Sequence, residues 1–350
     1  MRAEDTVVAK TDPPLLALAI APVARLRGAR FVNWMQDVFP EVATAAGIGG
    51  RLVRAAMAPL KHLRNQTLLM ADQNVAIGEQ MAGHLRRQGV KPDRLTVIPN
   101  WADPAAVHLV THEANALRKE WGLTGKLVVG YSGNLGRVHD VATIIAAIDE
   151  IHRRGATDRN ARNIEFVFVG GGVLRRELAR EIEKRGITNV QLRPYQPHER
   201  LAEALALADI HLVSLRAEME GFVVPSKFYG IAAAGRPTVF IGAEDGEIAA
   251  VVRRHGCGLA VKVGDGEALS TAIMALANDV ELRHAMGRRA REAFETTFAK
   301  AFSSLNWHTL LSATLGSSRT VEAPSQIAGE TMWQPGAAEQ VEPLATTRRR

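Results

Sequence analysis

From Leu127 to Val263 the chain repeats one pattern: a short β-branched run, a turn, then a helical stretch. Parallel strands covered on both faces read as near-continuous apolar runs, and the connection between two of them needs a crossover, usually a helix. The repeat therefore predicts an α/β, Rossmann-like domain of five to six βα units, with a parallel sheet between two helical layers. The expected strands are Leu127–Tyr131, Ile164–Val169, Val190–Arg193, Ile210–Leu215, Thr238–Ile241 and Leu259–Val263. Helical patterns lie between them at Val141–Arg153, Val173–Arg185, Glu199–Ala208 and Glu247–His255, with Gly186, Gly235 and Gly256 placed to stop helices.

The first 105 residues carry a thinner version of the same pattern. Helices are expected at Leu15–Arg27, Gly50–Ala71 and Glu79–Gln88, and strands at Arg30–Trp34, Asn74–Ile77 and Leu95–Ile98. Three strands leave apolar faces poorly covered and an edge exposed, so this domain reads as incomplete. The expected organisation is a partial N-terminal domain over 1–105, a second domain over 106–298 and a helix over 299–315. A disordered tail rich in Ser, Thr, Glu, Gln and Pro is expected over 316–350.

Composition narrows the classes of function. A chain of 350 residues, 47% hydrophobic and 23% charged, suffices for two α/β domains. The single cysteine, Cys257, excludes an internal disulfide framework, and no Cys/His spacing suggests structural zinc. No run approaches the ~18 apolar residues of a membrane span, and Pro13–Val23 lacks the flanks of a signal peptide. A cytoplasmic location is expected. The net charge of +6 suits an anionic partner: nucleic acid, a membrane surface or a phosphorylated small molecule. Nucleic acid is the weakest of these, since no known motif interleaves basic and aromatic residues.

Three motifs point to phosphate. Tyr131-Ser-Gly-Asn-Leu-Gly-Arg-Val-His139 is a glycine-bearing turn between a strand and a helix, where backbone N–H groups could approach an anion. Gly170-Gly-Gly172 forms a second such turn. Val224-Pro-Ser-Lys-Phe-Tyr-Gly-Ile-Ala-Ala-Ala-Gly-Arg-Pro237 places Lys227 in a first helical turn, where the helix dipole disfavours a cation unless an anion is also present. A plain β-to-α turn and a solvated lysine are the competing readings.

Taken together, Ser132-Gly-Asn-Leu-Gly-Arg-Val-His-Asp140, Phe168-Val-Gly-Gly-Gly172, Arg193-Pro-Tyr-Gln-Pro197 and Pro225-Ser-Lys-Phe-Tyr-Gly230 resemble the family 4 glycosyltransferases. The resemblance is to the bacterial branch that builds capsule, O-antigen and colanic-acid-type polysaccharides. Thr11-Asp-Pro-Pro14, Asn33-Trp-Met-Gln-Asp-Val-Phe-Pro-Glu41 and Val97-Ile-Pro-Asn-Trp101 extend it over Thr11–Leu311. The resemblance implies a GT-B fold, two Rossmann-like domains facing across a cleft, and retaining transfer without a metal or other cofactor. Protein cations and backbone N–H groups would then neutralise the departing diphosphate. By position, Gly133 and Asn134 would contact phosphate, Lys227 would pair with the diphosphate, and Arg137 would be a second cation. Tyr195 would lie by the base, Gly171 would line the pocket, and Pro225, Ser226 and Tyr229 would belong to the donor site. Where the wider family carries two glutamates eight residues apart, the second on the ribose, this chain has Phe222 and Gly230. Glu247, at a helix start, is the expected replacement, with dipole compensation as the alternative.

On the acceptor side, Gln36 and Asp37 follow a strand; Asp37 would orient an acceptor hydroxyl, touch the sugar, or cap the turn before Pro40. On the Arg51–Asn65 helix, Leu52, Val53, Ala56, Met57, Leu60 and Leu63 share a face beside Arg51, Arg54, Lys61 and Arg64. That surface suits either solvent or anionic lipid, where polyprenyl-diphosphate acceptors reside. The expected activity is transfer of a hexose-type sugar from a nucleoside diphosphate, UDP, to a lipid-linked or growing glycan. A GT-B epimerase or synthase and a silent sugar-nucleotide binder are the alternatives. Because the resemblance places further strands and a glycine-bearing loop ahead of Thr11, weak transfer is expected of the chain as it stands.

Overall fold

The computed structural model describes residues 1–48 and 51–314, the side chains of 51–54 excepted. Gly50, the side chains of Arg51, Leu52, Val53 and Arg54, and the expected tail lie outside the described residues. The described part contains two parallel sheets. The first comprises β1 (Thr6–Lys10), β2 (Arg30–Trp34), β3 (Gln73–Ala76) and β4 (Leu95–Val97), ordered as in the sequence. The second comprises β5 (Leu127–Ser132), β6 (Ile164–Val169), β7 (Val190–Arg193), β8 (Ile210–Ser214), β9 (Thr238–Gly242) and β10 (Gly258–Lys262).

The expectation of three N-terminal strands is corrected to four. Thr6–Lys10 pairs in register with Arg30–Trp34, Thr6 opposite Arg30 and Lys10 opposite Trp34. Its five residues pair on one side only and bury Ala9 alone, so they lack the continuous apolar run of a central strand.

The second sheet has the order β10-β9-β8-β5-β6-β7. In that order β5 and β8 are adjacent while the chain leaves them in opposite directions across the sheet. A crevice must open between the turns beyond their carboxyl ends, the usual ligand position in an open α/β sheet. Ser132 ends β5 and Ser214 ends β8, which fixes where the crevice lies.

Backbone packing at that crevice requires glycine. The turn after β5 and the turn after β6 interlock: Gly133 N–H donates to Val169 O (2.8 Å), Leu135 N–H to Gly171 O (2.8 Å) and Leu174 N–H to Leu135 O (3.1 Å). A Cβ on Gly172 would stand 2.3 Å from Leu135 O, and one on Gly170 would stand 2.3 Å from Gly133 O; both residues have positive φ.

The two sheets share a core. Met35, Val38, Met81 and Leu85 from the first domain pack in one apolar cluster with Val224, Phe228 and Ile248 of the second. The Lys300–Thr314 helix returns to the first sheet, where Trp307 meets Trp34 edge-on at 4.9 Å and Leu310 joins Val32, Val75 and Ile98.

Gly172→Ala is expected to cost about 3 kcal/mol or more, combining backbone strain with overlap. Gly186→Ala, with φ +64 and nothing within 4 Å of the added Cβ, should cost only about 1 kcal/mol. Urea midpoints of the two variants check the ranking.

Candidate active site

A cavity of about 490 Å³ opens beyond the ends of the second sheet, lined by Ser132, Gly133, Tyr195, Gln196, Ser226, Lys227 and Gly230 together with the linker residues Trp101 and Asp103. Its size is typical of a small-molecule site. Of the residues expected from sequence, Gly133, Tyr195, Ser226 and Lys227 meet here. Gly171 supports the wall, since a Cβ on it would stand 3.1 Å from the Tyr195 ring, whose outer side is exposed.

Lys227 opens the Lys227–Ala233 helix and runs over the first glycine turn: a Cβ on Gly133 would stand 2.9 Å from its Cε. Its Nζ lies 2.9 Å from His139 Nε2 and 5.3 Å from the centre of the Tyr131 ring. Among the described residues no carboxylate pairs with it, and burial pulls its ammonium down to about 8. A cation half removed from water without a counter-charge is costly, and an entering anion relieves that cost.

Several expected residues stand elsewhere. Tyr229 is buried, packs edge-on against Phe298 at 5.3 Å and bonds the backbone of Asn100; helical phase turns it inward while Lys227 and Gly230 face the cavity. Pro225 is buried beneath the turn. Arg137 is exposed outside the cavity lining, its carbonyl accepting from Arg216 Nη1 at 3.2 Å. The Asn134 amide folds over Gly136, within 3.2 Å of where a Cβ would stand. The helix behind the first glycine turn begins at Ala142, one residue from the expected Val141, and Asp140 already accepts the Thr143 N–H at 2.9 Å.

Glu247 does not face the cavity. Its Oε2 accepts the Gln80 N–H at 2.9 Å from the first domain, and its own N–H donates to Glu220 Oε1 at 2.7 Å. Burial raises the carboxyl of Glu247, and raises that of Glu220 to about 7, with Glu247 and Asp245 adding repulsion to the latter. The carboxylate assigned to ribose is thus part of the seam between domains. Val38 N–H donating to Phe222 O (2.9 Å) and Gln80 Nε2 donating to Asp245 O (2.7 Å) complete that seam.

Gln36 and Asp37 follow β2 in the first domain, where Thr11 Oγ1 accepts both backbone N–H groups at 2.8 and 3.3 Å, and neither lines the cavity. Asp37 borders a narrow pocket with Thr11, Asn33 and Arg64, and its carboxyl is raised by burial and by Asp12. Arg64 is not a surface cation: it is buried and paired with Glu41, which Lys61 and His84 also approach. Leu63 remains exposed.

Sequence reading passed over Asp103 and His198 as cavity residues, and took Trp101 only as part of a linker motif. For Trp101 and Asp103 the signal was available, because a segment joining two sheets runs along the cleft between them; His198 follows β7 and carried no such signal.

Glu247→Ala is expected to lower stability by about 1–3 kcal/mol, the cost of leaving the Gln80 N–H without its acceptor. It should leave the preference for a ribose over a deoxyribose nucleotide unchanged. Denaturation and competition between UDP and dUDP check the two halves.

Residues 113–293 match the family model of glycosyl transferases group 1, and residues 3–101 match that of a glycosyl transferase 4-like domain. The chain is 30% identical over 281 residues to the probable glycosyltransferase WbjE of Pseudomonas aeruginosa, covering 78% of this chain and 66% of that one. It is 27% identical over 234 residues to the putative colanic acid biosynthesis glycosyl transferase WcaI of Escherichia coli, covering 66% of this chain and 56% of that one. The chain therefore spans less than two thirds of these relatives. Among solved structures, Anabaena HepE in complex with UDP superposes with a TM-score of 0.71 at 16% identity, over 88% of this chain and 79% of that one. Sucrose-phosphate synthase from Thermosynechococcus elongatus gives 0.71 at 18% identity, over 89% and 74%. The fold is GT-B, and the chain belongs to the glycosyl transferases group 1.

Proposed function

We propose that this chain moves a hexose-type sugar from UDP, with retention of configuration, onto a lipid-linked or growing surface polysaccharide. The observation that carries the reading is Lys227: a half-buried cation without a carboxylate partner among the described residues, set over a glycine turn at the crevice between β5 and β8. A diphosphate supplies the missing counter-charge, and the Gly133 turn lets it approach the backbone. In the transition state negative charge grows on that diphosphate, so a cation fixed beforehand favours departure.

In this reading Tyr195, exposed beside Gly171, flanks the base, and Ser132, Ser226 and Trp101 border the sugar-nucleotide. Asp37 and Gln36 belong to the acceptor wall, while Asn134 and Arg137, both exposed, would approach phosphate only by swinging their side chains inward. The nucleotide choice draws on HepE, solved with UDP-glucose, and the polysaccharide acceptor draws on the name of WcaI. No helix among the described residues is long and apolar enough to cross a membrane; in this reading a lipid-linked acceptor is met at the inner membrane face by peripheral contact.

Lys227→Ala is expected to weaken UDP binding by about 1.5–3 kcal/mol, the worth of a hydrogen bond to a charged group. Calorimetric titration checks this; affinity equal to the parent chain's would remove Lys227 from the donor site.

A further inference from the structure

His139 ends the first glycine loop and is buried beneath it. Its Nδ1 lies 2.6 Å from Ser214 O, and a carbonyl oxygen only accepts, so Nδ1 carries the ring proton. Burial, together with the Lys227 charge, outweighs the opposing backbone hydrogen bonds of Ser214 and Asn134 and pushes the imidazole down to about 4, which favours the neutral ring near pH 7. A neutral ring with Nδ1 protonated has its lone pair on Nε2, and that lone pair faces the Lys227 ammonium at 2.9 Å.

The ring is itself fixed. Ser214 Oγ accepts the Asp140 N–H and donates to Asp140 O, both at 3.1 Å, tying the loop end to the last residue of β8. The Tyr131 ring meets the imidazole edge-on at 6.0 Å and also lies under the Lys227 ammonium. The lysine therefore has one neutral acceptor and one aromatic face. A carboxylate there would neutralise the charge needed by the substrate; an imidazole acceptor orients the ammonium and leaves its charge available.

We propose that His139 is the positioning residue of the donor site, its Nε2 holding the Lys227 ammonium over the Gly133 turn so that the cation is aimed at the diphosphate before the nucleotide arrives. The imidazole gives up no proton in this role, because its one N–H is bound to Ser214 O. The inference rests on the diphosphate reading of Lys227. It adds that the lysine works at full strength only when the ring orients it.

A double-mutant cycle on the full chain, read as UDP affinity by calorimetry, tests it. His139→Ala should weaken UDP roughly tenfold, the scale of one hydrogen bond to a charged group, and should have almost no further effect in the Lys227→Ala background. His139→Gln, whose amide can both accept from Lys227 and donate to Ser214 O, should retain most of the affinity and covers the case in which the alanine variant does not fold. If Lys227→Ala alone leaves UDP affinity unchanged, the diphosphate reading falls. If Lys227→Ala weakens binding but His139→Ala weakens it equally in both backgrounds, His139 acts only through the fold and the inference is overturned. The same holds if a folded His139→Ala variant binds UDP as tightly as the parent chain, or if His139→Gln, which keeps both hydrogen bonds, loses as much affinity as Lys227→Ala.

Discussion

Lys227 sits beside a histidine and a tyrosine ring, with no carboxylate among the described residues to meet its charge, and the second domain holds it there. The sheet order puts β5 next to β8, which opens the crevice; the interlocked turns after β5 and β6 close its floor. Glycine at 133 leaves the space that the lysine stem occupies. Side chains large enough to shield the ammonium would fill the approach of an anion. The local instability of an uncompensated cation is tolerated because the surrounding packing determines the geometry, as is common where a site is built for a charged ligand.

The cavity is built from the second domain and the linker. Its second side is the linker, with Trp101 and Asp103, and Asp103 is in turn held by Lys300 at 2.9 Å from the returning helix. Trp101 stacks on Trp34 at 5.9 Å, and Trp34 meets Trp307, so the linker, the first sheet and the last helix are locked together. Across the seam the 219–224 loop lies against the first domain through Val38, His84 and Gln80. Relative motion of the domains would have to break hydrogen bonds and uncover the shared apolar cluster, so the described arrangement is a well-packed state.

The second sheet is legible because most of its strands carry apolar runs rich in β-branched residues: Ile164–Val169 and Thr238–Gly242 fall within a residue of where the pattern places them. The short, one-sided Thr6–Lys10 strand had no such signal. Within the site, motif position located Gly133, Ser226 and Lys227, but a motif does not state helical phase. Tyr229 was therefore grouped with the cavity, although its neighbour Gly230 is the residue that lines it. Glu247 shows a different limit. Its helix start was read correctly, yet its partner is Gln80, 167 residues away on the other domain. Docking between domains decided its role, and periodicity in one segment carries no record of that.

The central claim, that an uncompensated Lys227 awaits a phosphate anion, has a protonic signature. Burial holds this ammonium down to about 8, whereas a bound diphosphate favours the charged form and raises it. Binding near pH 8 must therefore take up protons, and affinity must fall as pH rises further, since more of the free protein has lost the proton. Calorimetry of UDP in two buffers of different ionisation enthalpy measures this uptake directly. The account predicts uptake of a substantial fraction of one proton near pH 8, abolished by Lys227→Ala; identical heats in both buffers, with tight binding, would contradict it.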